Sequence, residues 1–340
     1  MRALTRHSGT RFGLPISIVP METKTAEELP VAPGVWQYEP KWDGFRCLAF
    51  REGENVELRA KSGKPLARYF PELVASLSAL KARKFVLDGE IVIRIGPELS
   101  FEALQMRLHP AASRVRKLAS ETPATFILFD MLDDGSDDRV IDEPLIARRE
   151  KLKAFVKHEN TEVLILSKAT TSASTAQAWL HESGRGATDG VVAKMLQEPY
   201  RPGERAMIKV KRLRTADCVV GGFRYLNSNA QVGSLLLGLY NEQGLLDHVG
   251  FTSMISRDDR SALTRRLEAL KAPPGFTGKA PGGPSRWSTE RSGEWVPVKP
   301  ALVAEVRFDH VTGGRFRHGT KFLRWRPDKA PRQCTFVQIE

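Results

Sequence analysis

Apolar residues recur along this chain with two periods, and the places where the period changes outline its architecture. Phe85-Val86-Leu87-Asp88-Gly89-Glu90-Ile91-Val92-Ile93 is a nearly continuous apolar run interrupted by a glycine, which predicts a buried strand. Just before it, the stretch from Pro71 has Leu73, Leu77 and Leu80 at helical spacing, with proline in the first turn, where its missing N–H costs nothing. Pro144 opens a second helix of this kind. Leu145, Leu152 and Phe155 form its apolar side, and Arg148, Arg149 and Lys151 are expected on its solvated side. Residues 125–130 and 190–194 read as further short strands. This part of the chain is a mixed α and β domain.

After Lys211-Arg212-Leu213-Arg214-Thr215 the pattern becomes mainly strand-like. Residues 217–225, 234–240 and 245–251 read as three strands, separated by turns rich in Asn, Ser and Gly. Residues 258–270 read as a helix with Leu263, Leu267 and Leu270 on one face. A loop rich in Pro and Gly spans 273–284, and two last strands are expected near 302–308 and 333–339. Three strands, a helix and two strands is the order of an OB-fold barrel. The fold class expected is therefore α+β, with one domain over residues 1–213 and a β-barrel OB-fold domain over 214–340. Trp287, Trp295 and Trp325 are expected to pack in it rather than to stack on bases.

Composition narrows the function classes. The chain has 340 residues and a formal net charge of +12, which favours a polyanionic partner. It is long enough for two domains and apolar enough to bury a core. Cys47, Cys218 and Cys334 stand far apart, which excludes paired metal-ligand spacing and argues against a disulfide framework. No apolar run approaches the ~18 residues of a membrane span, and the N-terminal residues 1–13 lack the apolar core of a secretory signal. The expectation is a soluble, cytoplasmic protein. Basic residues are densest between Arg307 and Arg332.

Chemistry concentrates first in Glu39-Pro40-Lys41-Trp42-Asp43-Gly44-Phe45-Arg46. A lysine is a nucleophile only when it sheds its proton, and neighbouring cations or burial promote that loss. Gly44 would let the backbone approach a phosphate. Further along come Lys61-Ser62-Gly63, Asp88-Gly89-Glu90, Phe126-Ile127-Leu128-Phe129-Asp130, Asp189-Gly190-Val191-Val192-Ala193-Lys194 and Lys209-Val210-Lys211. Lys209 and Lys211 alternate with Val210, so both belong to one face of a strand. No cluster of His or Cys offers a zinc site.

In order and spacing these motifs resemble those of the covalent nucleotidyltransferase superfamily, which comprises ATP-dependent DNA ligases, RNA ligases and mRNA capping enzymes. The resemblance runs from about Trp36 to Arg332. It is closest to the stand-alone bacterial ligase C group, through the stretches 61–66, 207–220 and 322–328. It implies a nucleotidyltransferase (adenylation) domain followed by the OB-fold domain, with ATP and Mg²⁺ or Mn²⁺ as cofactors. Lys41 would attack the α-phosphorus and hold AMP as a phosphoramide. Glu39 would sit beside the adenine, Arg46 would contact the ribose or the nick phosphate, and Phe129 would stack on the base. Glu90 would hold the ribose hydroxyls or a metal-bound water, and Asp189 would help to place the metal. Lys209 and Lys211 would grip the α-phosphate, with Lys61 as a phosphate contact. Arg201 or Arg205 would be another, the two not being separable from sequence. Arg324, Arg326 and Lys329 would orient pyrophosphate from the second domain.

Two departures from the family pattern stand out. Asp189-Gly190 replaces the more usual Glu-Gly, which shortens the carboxylate arm by one methylene. Lys61 stands where arginine is usual and lacks the bidentate fork. The resemblance implies a minimal, monomeric ligase without an attached primase, nuclease or helical DNA-binding domain. It would act on nicked or broken double-stranded DNA in repair at the bacterial nucleoid, with the Ku end-binding protein or a repair polymerase as partner. An RNA ligase or GTP-dependent capping enzyme is the competing reading within the same chemistry. A catalytically silent nucleic-acid-binding module is the competing reading outside it. The intact Lys41, Glu90, Lys209 and Lys211 argue against the second.

Overall fold

The structure, a computed structural model, describes residues 12–184, 187–226, 229–253, 260–282 and 294–339. The N-terminal residues 1–11, Asp258 and Asp259 at the expected helix start, and Trp287 lie outside the described residues. The chain divides into two compact units, Met1–Lys211 and Arg212–Glu340.

The first unit contains two sheets. One has the strand order β1-β10-β9-β2, formed by β1 (Thr23–Ala26), β2 (Trp36–Trp42), β9 (Thr188–Met195) and β10 (Met207–Lys211). The other has the order β4-β3-β5-β7-β8, formed by β3 (Phe45–Glu52), β4 (Asn55–Ala60), β5 (Lys84–Ile95), β7 (Ala124–Asp133) and β8 (Leu164–Leu166), with β6 (Glu98–Leu99) paired to β5. The expected apolar strand is β5, with Phe85, Val86, Leu87, Ile91, Val92 and Ile93 all buried. The expected Pro71 helix is α1 (Pro71–Ser78), followed by α2 (Phe101–Met106), α3 (Ala112–Glu121), α4 (Leu145–Glu159) and α5 (Ala173–Glu182). Leu73 and Leu77 of α1 and Leu152 of α4 enter one core cluster with Phe85, Leu87, Phe126 and Leu128.

Helix α4 departs from the sequence expectation. Arg148 and Arg149, expected in solvent, are 1% and 5% exposed. Asp130 of β7 is buried beneath α4, and Arg148 donates to it through Nε at 2.7 Å and Nη2 at 3.0 Å. A buried carboxylate must be paired, so the arginine turns inward. Burial alone would raise the Asp130 pKa; the Arg148 guanidinium overcomes this and holds it below the usual carboxylate range.

The second unit has the strand order β13-β12-β11-β15-β18. Its strands are β11 (Arg214–Leu226), β12 (Asn229–Tyr240), β13 (Leu246–Thr252), β14 (Val296–Pro297, paired with β11), β15 (Val303–Phe308) and β18 (Lys321–Trp325). A two-stranded hairpin, β16 (Val311–Thr312) with β17 (Arg315–Phe316), precedes β18, and α6 (Arg260–Glu268) follows β13. Among the described residues the sheet does not close into a full ladder. Its edges meet at a single bridge, Thr252 with Thr320, where the Thr320 N–H donates to the Phe251 carbonyl at 3.0 Å. An OB-fold is a partly open barrel, so a curled sheet with one closing bridge fits that class. The last strand is also corrected: it is Lys321–Trp325, whereas residues 331–333 and 336–338 form 3₁₀ turns. Cys334 and Ile339, the buried apolar positions there, are five residues apart, a spacing that no two-residue strand repeat produces. Trp295 packs against Phe276 and Trp325 against Phe322, as expected of packing tryptophans. The three cysteines are free and buried. No helix among the described residues is long and apolar enough to cross a membrane.

Candidate active site

Two register breaks in the first unit build a cleft between its sheets. In the β2/β9 ladder Pro40 faces Val191 and Trp42 faces Thr188, so Lys41 lies opposite two residues, Asp189 and Gly190. Such a bulge re-aims side chains locally, and Pro40, which has no N–H to donate, eases the break. Lys41 Nζ lies 2.7 Å from Asp189 Oδ1. Asp189 Oδ2 receives Lys211 Nζ at 3.0 Å. Gly190 is required by close approach, because a Cβ there would lie 2.2 Å from the Val210 carbonyl oxygen.

The second break is in the β5/β7 ladder. Asp88 faces Asp130 and Gly89 faces Leu128, which leaves Phe129 as the unpaired extra residue. Phe129 is thereby freed from the alternation of its strand and lines the cleft. Glu39, Lys41, Arg46, Lys61, Glu90 and Lys209 line the same cleft, along with Thr23, Trp42, Lys194 and Met207. It holds about 770 Å³ with its open mouth included.

Arg46 is fixed by a bidentate pair with Asp88, Nε to Oδ1 at 3.0 Å and Nη2 to Oδ2 at 2.6 Å. The Tyr200 hydroxyl donates to the same carboxylate at 2.7 Å. The Arg46 guanidinium also lies 5.3 Å from the Phe129 ring centre. Burial would lower the Arg46 pKa, but Asp88 more than offsets it and the guanidinium stays charged. Glu90 faces Arg46 across the β3/β5 ladder and accepts the Gly44 N–H through Oε1 at 3.1 Å. Gly44 too is a close approach: a Cβ would lie 2.3 Å from the Ile91 carbonyl oxygen.

The electrostatics are those of a crowded lysine cluster around one carboxylate. Burial pushes the Asp189 pKa up, yet Lys41 and Lys211 overcome this and hold it below the usual carboxylate range. Lys209 is pulled below the ordinary lysine value, first by burial and then by the charges of Lys41, Lys211 and Lys61. Burial pushes Glu90 up to about 8, against the pull of Lys41 and Arg46. A cluster of this kind gains when an anionic phosphate relieves the repulsion among its cations.

The donor set also bears on a divalent metal. Among the described residues no group of three or more His, Cys, Asp or Glu side chains converges as a cage. Mg²⁺ needs none, since it is held by one or two carboxylates together with waters and phosphates. Glu90 fits that sparse mode, because it is a desolvated carboxyl at the cleft on which, among the described residues, Oε1 accepts the Gly44 N–H. Asp189 has both oxygens on ammonium groups, so as folded here it serves the lysines rather than an ion.

Apart from Lys61, the remaining sequence-selected residues are not among those that line the cleft. Lys61 and Arg205 both approach Glu22, at 3.2 and 3.8 Å, and Arg205 is 75% exposed. Arg201 pairs with Glu198 and Glu204. Arg324, Arg326 and Lys329 belong to the second unit. There Arg324 pairs with Glu305 at 2.6 Å, and Arg326 and Lys329 both reach Asp217. The sequence analysis assigns no role to Asp88, Tyr200 or Lys194; Asp88, with Tyr200 on its carboxylate, holds Arg46, and Lys194 lines the cleft beside Glu39. Their signal is faint: Asp88 opens one motif already singled out, Lys194 closes another, and Tyr200 opens the run that holds Arg201 and Arg205.

Comparisons with known proteins bear on the family and the fold. Residues 20–211 match the family model for the ATP dependent DNA ligase domain, and residues 228–329 match that for the ATP dependent DNA ligase C terminal region. The chain is 45% identical over 338 residues to DNA ligase C2 of Mycolicibacterium smegmatis, covering 95% of this chain and 94% of that protein. It is 42% identical over 337 residues to DNA ligase C of Mycobacterium tuberculosis, covering 94% of each. Among solved structures, a Lig E DNA ligase superimposes with a TM-score of 0.59 over 91% of this chain and 100% of that one. At 19% identity this is a likeness of fold alone.

Proposed function

The chain belongs to the ATP-dependent DNA ligase family, in its stand-alone bacterial ligase C group, and on that premise we propose that it seals 5′-phosphate/3′-hydroxyl breaks in duplex DNA through a lysyl-AMP intermediate. The observation that carries this reading is the Lys41–Asp189 contact beside a cleft lined by an aromatic ring, Phe129, and a lysine cluster.

Lys41 Nζ forms the bond to the α-phosphorus of ATP as the bond to the pyrophosphate oxygen breaks, and two protons leave Nζ over the step. Asp189 is a weak base, being held below the usual carboxylate range, so its part is to aim the amine. Lys209 and Lys211, adjacent on one strand face, bind the α-phosphate and stabilise its growing charge. Phe129 takes the adenine face, Glu39 its polar edge, and Arg46 and Glu90 the ribose side. Glu90 is also the carboxyl offered to Mg²⁺ or Mn²⁺, which supplies charge neutralisation to the phosphates. Asp189, whose oxygens here face Lys41 and Lys211, would be the second carboxylate available to such an ion. AMP then passes to a DNA 5′-phosphate, and attack by the 3′-hydroxyl expels it.

The basic second unit binds the DNA backbone without regard to sequence, and Arg324, Arg326 and Lys329 meet pyrophosphate during the first step. Lys61 and Arg205 supply outer phosphate contacts. The wider reading is of a monomer at the bacterial nucleoid that works in repair with Ku or a repair polymerase, which pull-down and sedimentation would test.

The deciding experiment is label transfer from α-labelled ATP or GTP with Mg²⁺, after pyrophosphate has stripped any bound AMP. Label from ATP that survives denaturation and disappears in Lys41→Ala is the expected result, and nicked DNA against nicked RNA then assigns the substrate. No label after stripping would overturn the proposal.

A further inference from the structure

Asp88 and Asp130 face each other across the β5/β7 ladder, at 0% and 2% exposure. Like charges placed directly opposite destabilise a sheet, and buried ones must be paired. Each aspartate has its own arginine, Arg46 on Asp88 and Arg148 on Asp130. Tyr200, 3% exposed, touches both pairs. Its hydroxyl reaches Asp88 Oδ2 at 2.7 Å, and the Arg148 guanidinium lies 5.8 Å from its ring centre. The Met21 N–H meets the same hydroxyl oxygen at 2.9 Å. A backbone N–H can only donate, so the phenol oxygen accepts from Met21 and directs its single proton at Asp88. Burial and the Asp88 charge hold the phenol well above its ordinary pKa, so the donor keeps its proton.

Arg46 is the member of this network that lines the cleft. Its Nε and Nη2 are committed to Asp88, and among the described residues no partner is found on Nη1. The aim of Nη1 is therefore set by the carboxylate to which the rest of the guanidinium is tied. A bidentate pair by itself lets carboxylate and guanidinium swing together. The Tyr200 hydroxyl, itself tied to the Met21 backbone, is a third donor on that carboxylate and removes this freedom. We infer that Tyr200 is a positioning residue for nucleotide binding, which locks the Asp88–Arg46 pair and so sets the direction from which Arg46 meets the ribose side of ATP.

This inference rests on the covalent nucleotidyltransferase reading, and its test separates the two. The rate of label transfer is measured against the concentration of α-labelled ATP for the stripped wild type and Tyr200→Phe, below the melting midpoint of each. Tyr200→Phe keeps the ring and removes only the hydroxyl. The ATP concentration that gives half the maximal rate should rise about tenfold to a hundredfold, with the maximal rate within about threefold of wild type. Equilibrium ATP binding to Lys41→Ala, which cannot form the covalent bond, then completes a cycle. Adding Tyr200→Phe should weaken binding by a similar factor when Arg46 is present, and by less than about twofold when Arg46→Ala is added as well. A merely structural tyrosine would lower the fraction of active protein, and with it the maximal rate, without moving half-saturation. Half-saturation unmoved in the folded variant, or an equal loss of binding with and without Arg46, overturns the role of Tyr200 while the reaction class stands. If Tyr200→Phe does not fold, Tyr200→Phe/Asp88→Asn removes the buried charge together with its donor. Half-saturation should then rise at least as far, and an unmoved value overturns the role in the same way. Absence of label in the wild type overturns both.

Discussion

Two aspartates, one in each unit, hold a pair of cations, and the difference between them separates a reactive site from a scaffold. Asp189 receives two lysines, Lys41 and Lys211, at 2.7 and 3.0 Å. Asp217 receives an arginine and a lysine, Arg326 at 2.9 Å and Lys329 at 2.7 Å. The geometries match but the chemistry does not. An ammonium can give up its proton and attack, whereas a guanidinium stays charged and keeps a fixed fork. Asp328 and Glu305 add further anions around Arg326 and raise its pKa still more. Around Asp189 the surplus is cationic, and Lys209 is depressed. The two clusters also differ in their anchorage. Asp217 is tied to the chain end, since its N–H donates to Gln338 Oε1 at 2.9 Å and its carbonyl accepts Gln338 Nε2 at 3.0 Å. Asp189 sits on a bulge beside a cleft.

The contrast is broken most easily at Lys41. Lys41→Ala should abolish covalent labelling while leaving DNA binding in a gel-shift assay intact, and residual labelling at the wild-type rate would remove Lys41 from its role. Next in size is Asp189→Asn, which keeps the shape but not the charge. Labelling should fall by about a hundredfold, the usual scale for losing one organising electrostatic group. Asp217→Asn should behave differently. The thermal midpoint of the second unit should drop by several degrees, with labelling retained below that midpoint. Should the folded Asp217 variant lose all labelling, the distinction between reactive and scaffolding clusters would fail.

Titration sharpens the comparison, because one buried group in each unit responds to pH in the opposite sense. In the second unit burial pushes His248 down to about 3, with Arg315 and Arg224 reinforcing it. Its folded pKa lies below the unfolded value of about 6.5, so the stability it contributes is present above that value and is lost as pH falls towards 3. In the first unit Glu90 is pushed up to about 8. Its stability contribution is present below the unfolded value of about 4.3 and is lost as pH rises through 8. His248→Gln should therefore flatten the acid side of a melting-temperature profile and Glu90→Gln the alkaline side. Profiles that keep their slopes would show that other groups dominate. The smallest effect is expected at Arg324, which is 65% exposed and already paired with Glu305. Arg324→Ala should reduce the salt slope of DNA binding by no more than about one, as measured by titrations at several ionic strengths.

Much of this was legible along the chain. The apolar run of β5, the proline-initiated α1, the three strands of the second unit and the leucine face of α6 follow from periodicity, because burial is imposed on one side of each element. Lys41, Glu90, Phe129 and Lys209 could be selected because their motifs are short and local. Arg148 could not be placed, since its polar character points outward unless a buried partner is known. The last strand was misplaced because residues 333–339 are apolar enough for a strand, whereas β18, Lys321–Trp325, has every residue at least partly exposed and little pattern to detect.

The sequence by itself determined which elements form, where the chain changes character, and which nucleophile, cations and carboxyls are available. Only the tertiary structure decided which of them meet. Lys41 and Asp189 are far apart in the chain, and their contact depends on a one-residue slip between two strands. Phe129 leaves the core alternation through another such slip, and Lys194 acquires its partners Glu39 and Phe129 by strand register alone. The physical reason is that side-chain direction in a strand reverses with every residue, so a single slip in pairing decides whether a group faces the core, the solvent or the cleft. That slip is a property of two strands together and is written in neither one.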